Sequence, residues 1–206
     1  MPVIQQAKIM PASPGFVSCT ISQNSTVGLS ASPFTGKQQT QEWSGQWWDA
    51  QVSLPPMTRA QAANWIAFLI SLRGMAGTFM LGDPACKTPR GAALVSGATP
   101  LVSGNVNGGS SILTRGWTPN TANVLVRYDW MQIDNHLYMV LSDENADAGG
   151  NASFDIWPDL RTQPLDGDPI IVQNAQGIFR LASNKQSWDI DTAMNIGIQF
   201  SCLEAI

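Results

Sequence analysis

One segment of this 206-residue chain carries a clear helical repeat, and both of its ends are signalled. Thr58 and Gln61, three residues later, form a capping box. Ala62, Trp65, Ile66, Leu69 and Leu72 then recur at spacings of three and four on one face. Arg73 suits the negative end of the helix dipole, and Gly74 supplies a left-handed residue to stop the helix. The spacing predicts a single α-helix over about 58–73. Just before it, Trp48, Ala50, Val52 and Leu54 alternate with Asp49, Gln51 and Ser53, the period of two of a half-buried strand. Pro55-Pro56 ends that strand, because neither proline can donate to a ladder. One helix among short alternating runs confines the chain to mainly β folds.

The rest agrees. Residues 1–57 read as extended segments joined by turns, and 77–82 as a short strand stopped at Asp83-Pro84. From Thr88 to about Gly109 the chain is small, polar and glycine-rich, which marks a connection between domains, with a short strand expected over 92–95. Residues 123–128 and 137–141 are expected as strands on either side of the turn Asp134-Asn135. Three more follow at Ala152-Phe154-Ile156, 170–172 and 178–181. Ile196, Ile198, Phe200 and Cys202 alternate in a last strand. Short strands parted by turn residues indicate a small barrel or sandwich in the second half.

Charge narrows the function. Only 13% of residues are charged, about half the roughly 25% of an average soluble domain, whereas 44% are hydrophobic. A net charge of −4 and a pI near 4.7 argue against a protein that clamps nucleic acid, which needs a basic footprint. A surface so short of charge is a solubility liability for a monomer, so other subunits are expected to cover part of it. The deficit is concentrated: from Asn24 to Gln51 the only charged residues are Lys37, Glu42 and Asp49. Met1-Pro-Val-Ile-Gln-Gln lacks the basic start and apolar run of a secretory signal. The longest strongly apolar stretch, 65–70, falls far short of the ~20 residues that span a bilayer. Synthesis in the cytoplasm and no membrane insertion are therefore expected.

Catalytic and metal-binding chemistry finds little support. His136 is the only histidine and has no local serine or cysteine signature beside it. Cys19, Cys86 and Cys202 are odd in number and widely spaced, as buried thiols of a reducing compartment are, and they offer no zinc spacing. Asp143, Asn145 and Asp147 have the alternate spacing of a calcium loop, but Ala148 replaces its turn glycine and Phe154 its closing glutamate. They are the only metal candidates, and weak ones. Asn107-Gly-Gly-Ser-Ser111 lacks the lysine and following helix of a phosphate cradle. No catalytic residue and no cofactor is expected.

The eight tryptophans remain. Trp65 lies on the apolar helix face. Trp47 and Trp48 are adjacent on a strand and must face opposite sides, so at most one packs inward and the other is a candidate interface anchor. Trp117, Trp130, Trp157 and Trp188 lie near turns, where barrel ends and stacking on sugars are both open.

An ordered set of motifs resembles one family. Ser32-Pro-Phe-Thr-Gly36, Gly45-Gln-Trp-Trp48 and Leu54-Pro-Pro-Met57 lead into Ala67-Phe-Leu-Ile-Ser-Leu-Arg-Gly74 and Gly77-Thr-Phe-Met-Leu-Gly-Asp-Pro84. Asp147-Ala-Gly-Gly-Asn-Ala152 and Pro158-Asp-Leu-Arg161 follow in the second half. Over most of residues 30–205 this order is similar to the distal tail proteins of long-tailed bacteriophages. The resemblance implies a β-rich, ring-forming belt domain of residues 1–90 with 190–206, and a peripheral β-barrel of the oligonucleotide/oligosaccharide-binding type over 91–189. It implies a homomeric ring, taken as a hexamer, at the virion tail tip, with the tail-tube protein, the baseplate hub protein and tail fibres as partners. Phe34, Trp47 and Trp48 are the expected interface residues. The family pattern places a glycine before the acidic residue of the first barrel hairpin, where this chain has Tyr128-Asp129. The alternative expectation is a carbohydrate-binding module or receptor-binding accessory of the same tail tip.

Overall fold

A computed structural model of the chain describes residues 7–94, 98–104 and 108–206. Two six-stranded antiparallel sheets make up the fold, with one α-helix against the first. The first sheet is built from β1 (Ser18–Ala31), β2 (Gln38–Ser53), β3 (Thr78–Leu81), β10 (Gly177–Leu181), β11 (Trp188–Ile190) and β12 (Ile196–Glu204). Its order is β1-β2-β12-β10-β3, with β11 paired to β12 off this path. The second sheet contains β4 (Leu101–Val102), β5 (Gly109–Arg115), β6 (Trp130–Ile133), β7 (His136–Val140), β8 (Ala152–Leu160) and β9 (Ile170–Ile171). In the order β4-β5-β8-β7-β6-β9 it curls into a nearly closed barrel, because Leu101 bridges Pro169 and Val102 N–H donates to Asp168 O. Over the described residues the chain is mainly β, with one α-helix and a small, nearly closed barrel.

Helix α1 (Arg59–Ser71) begins at the expected capping box, where Gln61 Oε1 accepts the Thr58 N–H at 3.2 Å. Its buried face carries Ala62, Trp65, Phe68 and Leu69. Trp65 lies 6.2 Å from Phe200 and Phe68 lies 5.5 Å from Phe79, which seats the helix on β12 and β3. The stop needs two left-handed residues rather than one: Arg73 (φ 54) already turns before Gly74 (φ 66). In β2, Trp48, Ala50 and Val52 are buried, with Leu54 just beyond, while the residues between them face outward.

Three expectations are corrected. Residues 92–94 form a 3₁₀ turn instead of a strand. Residues 123–128 are not a strand either. They form a turn tied to the Asp129 carboxylate, which accepts the N–H groups of Val126, Arg90 and Gly91, so the hairpin partner of β7 is β6. The return to the first sheet starts at Gly177, ahead of the boundary expected at 190, because β10 fits between β3 and β12 and buries Phe179 and Leu181 in the first core. The readings of residues 1–6, of position 95 and of Asn107 fall outside the described residues.

Candidate interaction surface

β1 and β2 outrun the sheet they belong to. β12 pairs with β2 only over Asp49–Ser53, whereas the β1–β2 register continues to Ala31 opposite Gln38. The outer half, from about Val27 to Glu42, is therefore a two-stranded arm, exposed along nearly all its length. Direct partners share a face, so Val27, Leu29, Thr40 and Glu42 lie on one side, and Gly28, Gln41 and Trp43 on the other. By the alternation of β2, the Val27–Leu29 side prolongs the face of Trp48, Ala50 and Val52 beyond the end of the core. Val27 (51%), Leu29 (62%) and Trp43 (52%) are left open to solvent. The Trp43 ring lies over Gly28: a Cβ there would meet it at 2.8 Å.

The tip is built to hold its shape. Ser32 N–H donates to Lys37 O, and Gly36, left-handed at φ 68, donates to Ser32 O. Ser32 Oγ accepts the N–H groups of Phe34 and Thr35 at 3.4 Å. The Phe34 ring projects from this turn, 95% exposed. β1 is an edge strand of 14 residues without a charge or a proline, and its one irregularity is the register shift at Thr26. Protected edges are short, charged, bulged or covered. An edge this long and neutral needs cover.

Of the expected anchors, Phe34 stands free and Trp47 is half-buried. Trp48 is corrected: it is only 4% exposed and joins the two sheets of its own chain. Its ring packs 4.9 Å from Trp130 and 4.3 Å from Trp157, and Nε1 donates to Leu137 O. Glu204, with its side chain fully buried, completes the junction by accepting from Trp48 N–H at 3.1 Å and from Arg161 Nη2 at 2.9 Å. Trp43, Val27 and Leu29 had no periodic signal; the only hint of them was the missing charge around them.

The metal candidates are spent separately. Asp143 pairs with Arg127 at 2.7 Å, Asn145 Oδ1 accepts the Asn123 N–H, and Asp147 Oδ1 accepts those of Gly149 and Asn151. The Arg127 side chain and amide hold Asp143 down to about 2, and the Asn151 side chain, then its amide, holds Asp147 below its ordinary value. Among the described residues, no group of three or more His, Cys, Asp or Glu side chains is placed to hold a metal ion.

The thiols are held in the protonated form. Burial, then the Asp83 charge, pushes Cys19 up to about 11, and the same two causes raise Cys86. Burial raises Cys202 as well. His136 Nδ1 lies 3.8 Å from the buried Glu204 carboxylate in the sheet junction. Of the turn-proximal tryptophans, Trp117 and Trp130 are buried, with indole N–H groups on Thr114 Oγ1 and Asp83, so neither can stack on a sugar. Among the described residues, no helix is long and apolar enough to cross a membrane. No protein-family model matches the chain, and a search of curated proteins finds no match.

Proposed function

We propose that this chain is a structural, non-enzymatic subunit that joins copies of itself into a ring at the tip of a phage tail, between the end of the tail tube and the baseplate hub and fibres. The observation that carries self-association is the neutral arm. It exposes apolar side chains on both faces, lies on a sheet edge, and ends in a bare phenylalanine on a braced turn. Ring subunits close such edges on their neighbours. The tail-tip location rests on the order of the motifs from Ser32 to Arg161. The mildly acidic composition suits a conduit for DNA, because a lumen that attracted phosphate would slow its passage.

The test is assembly. Light scattering and negative-stain imaging of concentrated protein, alone and with its tail-tube partner, should show closed rings. Monomers under both conditions would overturn the reading.

A further inference from the structure

The junction between the two sheets holds a histidine opposite an open acceptor. His136 begins β7 in the barrel, and its Nδ1 lies 3.8 Å from Oε1 of Glu204, on β12 of the first sheet. Both atoms are buried, and neither has a hydrogen-bond partner among the described residues. The other carboxylate oxygen, Oε2, is already engaged by Arg161 Nη2 and the Trp48 amide. Arg161 Nε and Nη1 are likewise buried and unpartnered among the described residues, so Oε1 is the acceptor still open in the cluster.

The protonation state of His136 decides what this contact can become. A neutral imidazole carries a single N–H and can keep it on Nε2, which leaves an Nδ1 lone pair turned toward a carboxylate. The protonated ring must present an N–H on Nδ1. A buried carboxylate oxygen without a donor is costly, and a charged donor is its strongest partner. The surrounding charges do not reverse this. Arg161 repels an imidazolium but is bound to the other oxygen, whereas Oε1 stands opposite the ring. Tyr138, two residues along β7, stays neutral, since burial pushes its hydroxyl up to about 12. Asp134, in the turn before His136, and Asp159, on β8, are carboxylates and favour the cation. Asp49 and Arg180 both flank Leu203 in the ladder, on the face of the sheet opposite Glu204.

We propose that protonated His136 closes onto Glu204 Oε1 and clasps the barrel hairpin to the first sheet, so that mild acid tightens the junction. The closed pair exists only with the charged ring. Its contribution is therefore complete below the range of roughly pH 5–8 where histidines titrate, and is lost as pH rises through it. The clasp reinforces a docking already made by Ile178 N–H on Asn135 O and Trp48 Nε1–H on Leu137 O.

Comparison of wild type with His136→Gln across that range tests it. As pH falls from about 8 to about 5, the stability advantage of wild type in urea denaturation should grow by about tenfold in the unfolding equilibrium constant. At the acid end, exchange of the Trp48 indole N–H and the Ile178 amide should be slower in wild type than in His136→Gln. Asp134→Asn should leave this pH-dependent gap in place, and Glu204→Gln should remove it. One measurement needs no variant: His136 is the only histidine, so its imidazole NMR signals identify themselves, and acid should bring out a slowly exchanging Nδ1–H. A freely exchanging Nδ1–H in acid would overturn the inference. So would a gap that stays constant, survives Glu204→Gln, or narrows as pH falls, the last meaning that repulsion from Arg161 outweighs Glu204.

Discussion

The arm and the barrel obey opposite rules. The barrel closes on itself: Phe154, Ile112, Met131 and Val140 fill its interior, each at most 1% exposed. Its loops satisfy their own polar groups, as Asp129 does for three amides and Asp166 for Arg115 and Gly104. The arm has no interior, and its apolar side chains face water on both sides. One region buries its own apolar side chains; the other leaves them open to be covered. The chain thus separates what folds it from what connects it.

Removing the arm should break this division most visibly. Replacing residues 26–45 by an Asn-Gly turn keeps the Ser25–Gln46 pair and closes a short hairpin. Assembly should vanish in light scattering, while the thermal melt shifts by no more than a few degrees. A collapse of the subunit fold would show that the arm belongs to the core. The next effect compares one residue type in the two regions. Phe154→Ala empties a fully buried site and should cost about 3–5 kcal/mol in urea denaturation. Phe34→Ala should stay within about 0.5 kcal/mol, as exposed positions do. Equal costs would mean that the arm already packs within the monomer.

Of similar or slightly smaller size is the effect at the junction. Glu204→Ala leaves Arg161 as an unpaired charge, its own side chain only 9% exposed, and strips Trp48 N–H of its acceptor. Breaking such a pair from one side costs about 3–5 kcal/mol, whereas replacing both partners with apolar residues is often neutral. Glu204→Leu with Arg161→Met should therefore recover most of the loss in the same denaturation experiment. A double variant as weak as the single would place the value of the pair in specific hydrogen bonds.

The parts of the fold legible in the sequence are those that bury one regular face. The helix from Thr58 and the inner half of β2 announce themselves because Ala62, Trp65 and Leu69, or Trp48, Ala50 and Val52, recur with the period of their element. The arm buries neither face, so its Ser, Gln and Thr carry no period, and only the missing charge and the Ser32–Gly36 motif at its tip mark it. The turn at 123–128 reads as a strand because Val124 and Leu125 are apolar and buried, yet the Asp129 carboxylate that bends it also draws on Arg90 and Gly91, far away in sequence. β10 looks alike whichever sheet it joins, and its place is decided by Phe79 and Leu203, which no local pattern contains. Tyr128 is a sharper case. It sits at φ 73, in the left-handed region that glycine favours. Its hydroxyl donates to Asp83 at 2.9 Å, an interaction glycine cannot make.

The smallest expected effect separates the two regions by acid. Asp143 is held at about 2 by hydrogen bonds from the Arg127 side chain and amide, below its ordinary 3.8. Because the folded value is the lower one, this carboxylate stabilises its loop fully above the unfolded value of about 3.9 and ceases to do so as pH falls through about 2. The pair is exposed, so salt should weaken it. Amide exchange at Arg127, whose N–H donates to Asp143 Oδ1, should therefore quicken between about pH 4 and pH 2 beyond the intrinsic trend. Asp143→Asn should remove that extra acceleration. The outer arm offers no such lever, since from Val27 to Trp43 its only charged residues are Lys37 and Glu42, neither in an ion pair among the described residues. Exchange at Leu29, in the β1–β2 ladder, should follow the intrinsic trend alone over the same range. Parallel acceleration at Leu29 and Arg127 would mean that acid opens the whole subunit at once, and that arm and barrel are not the independent regions their packing describes.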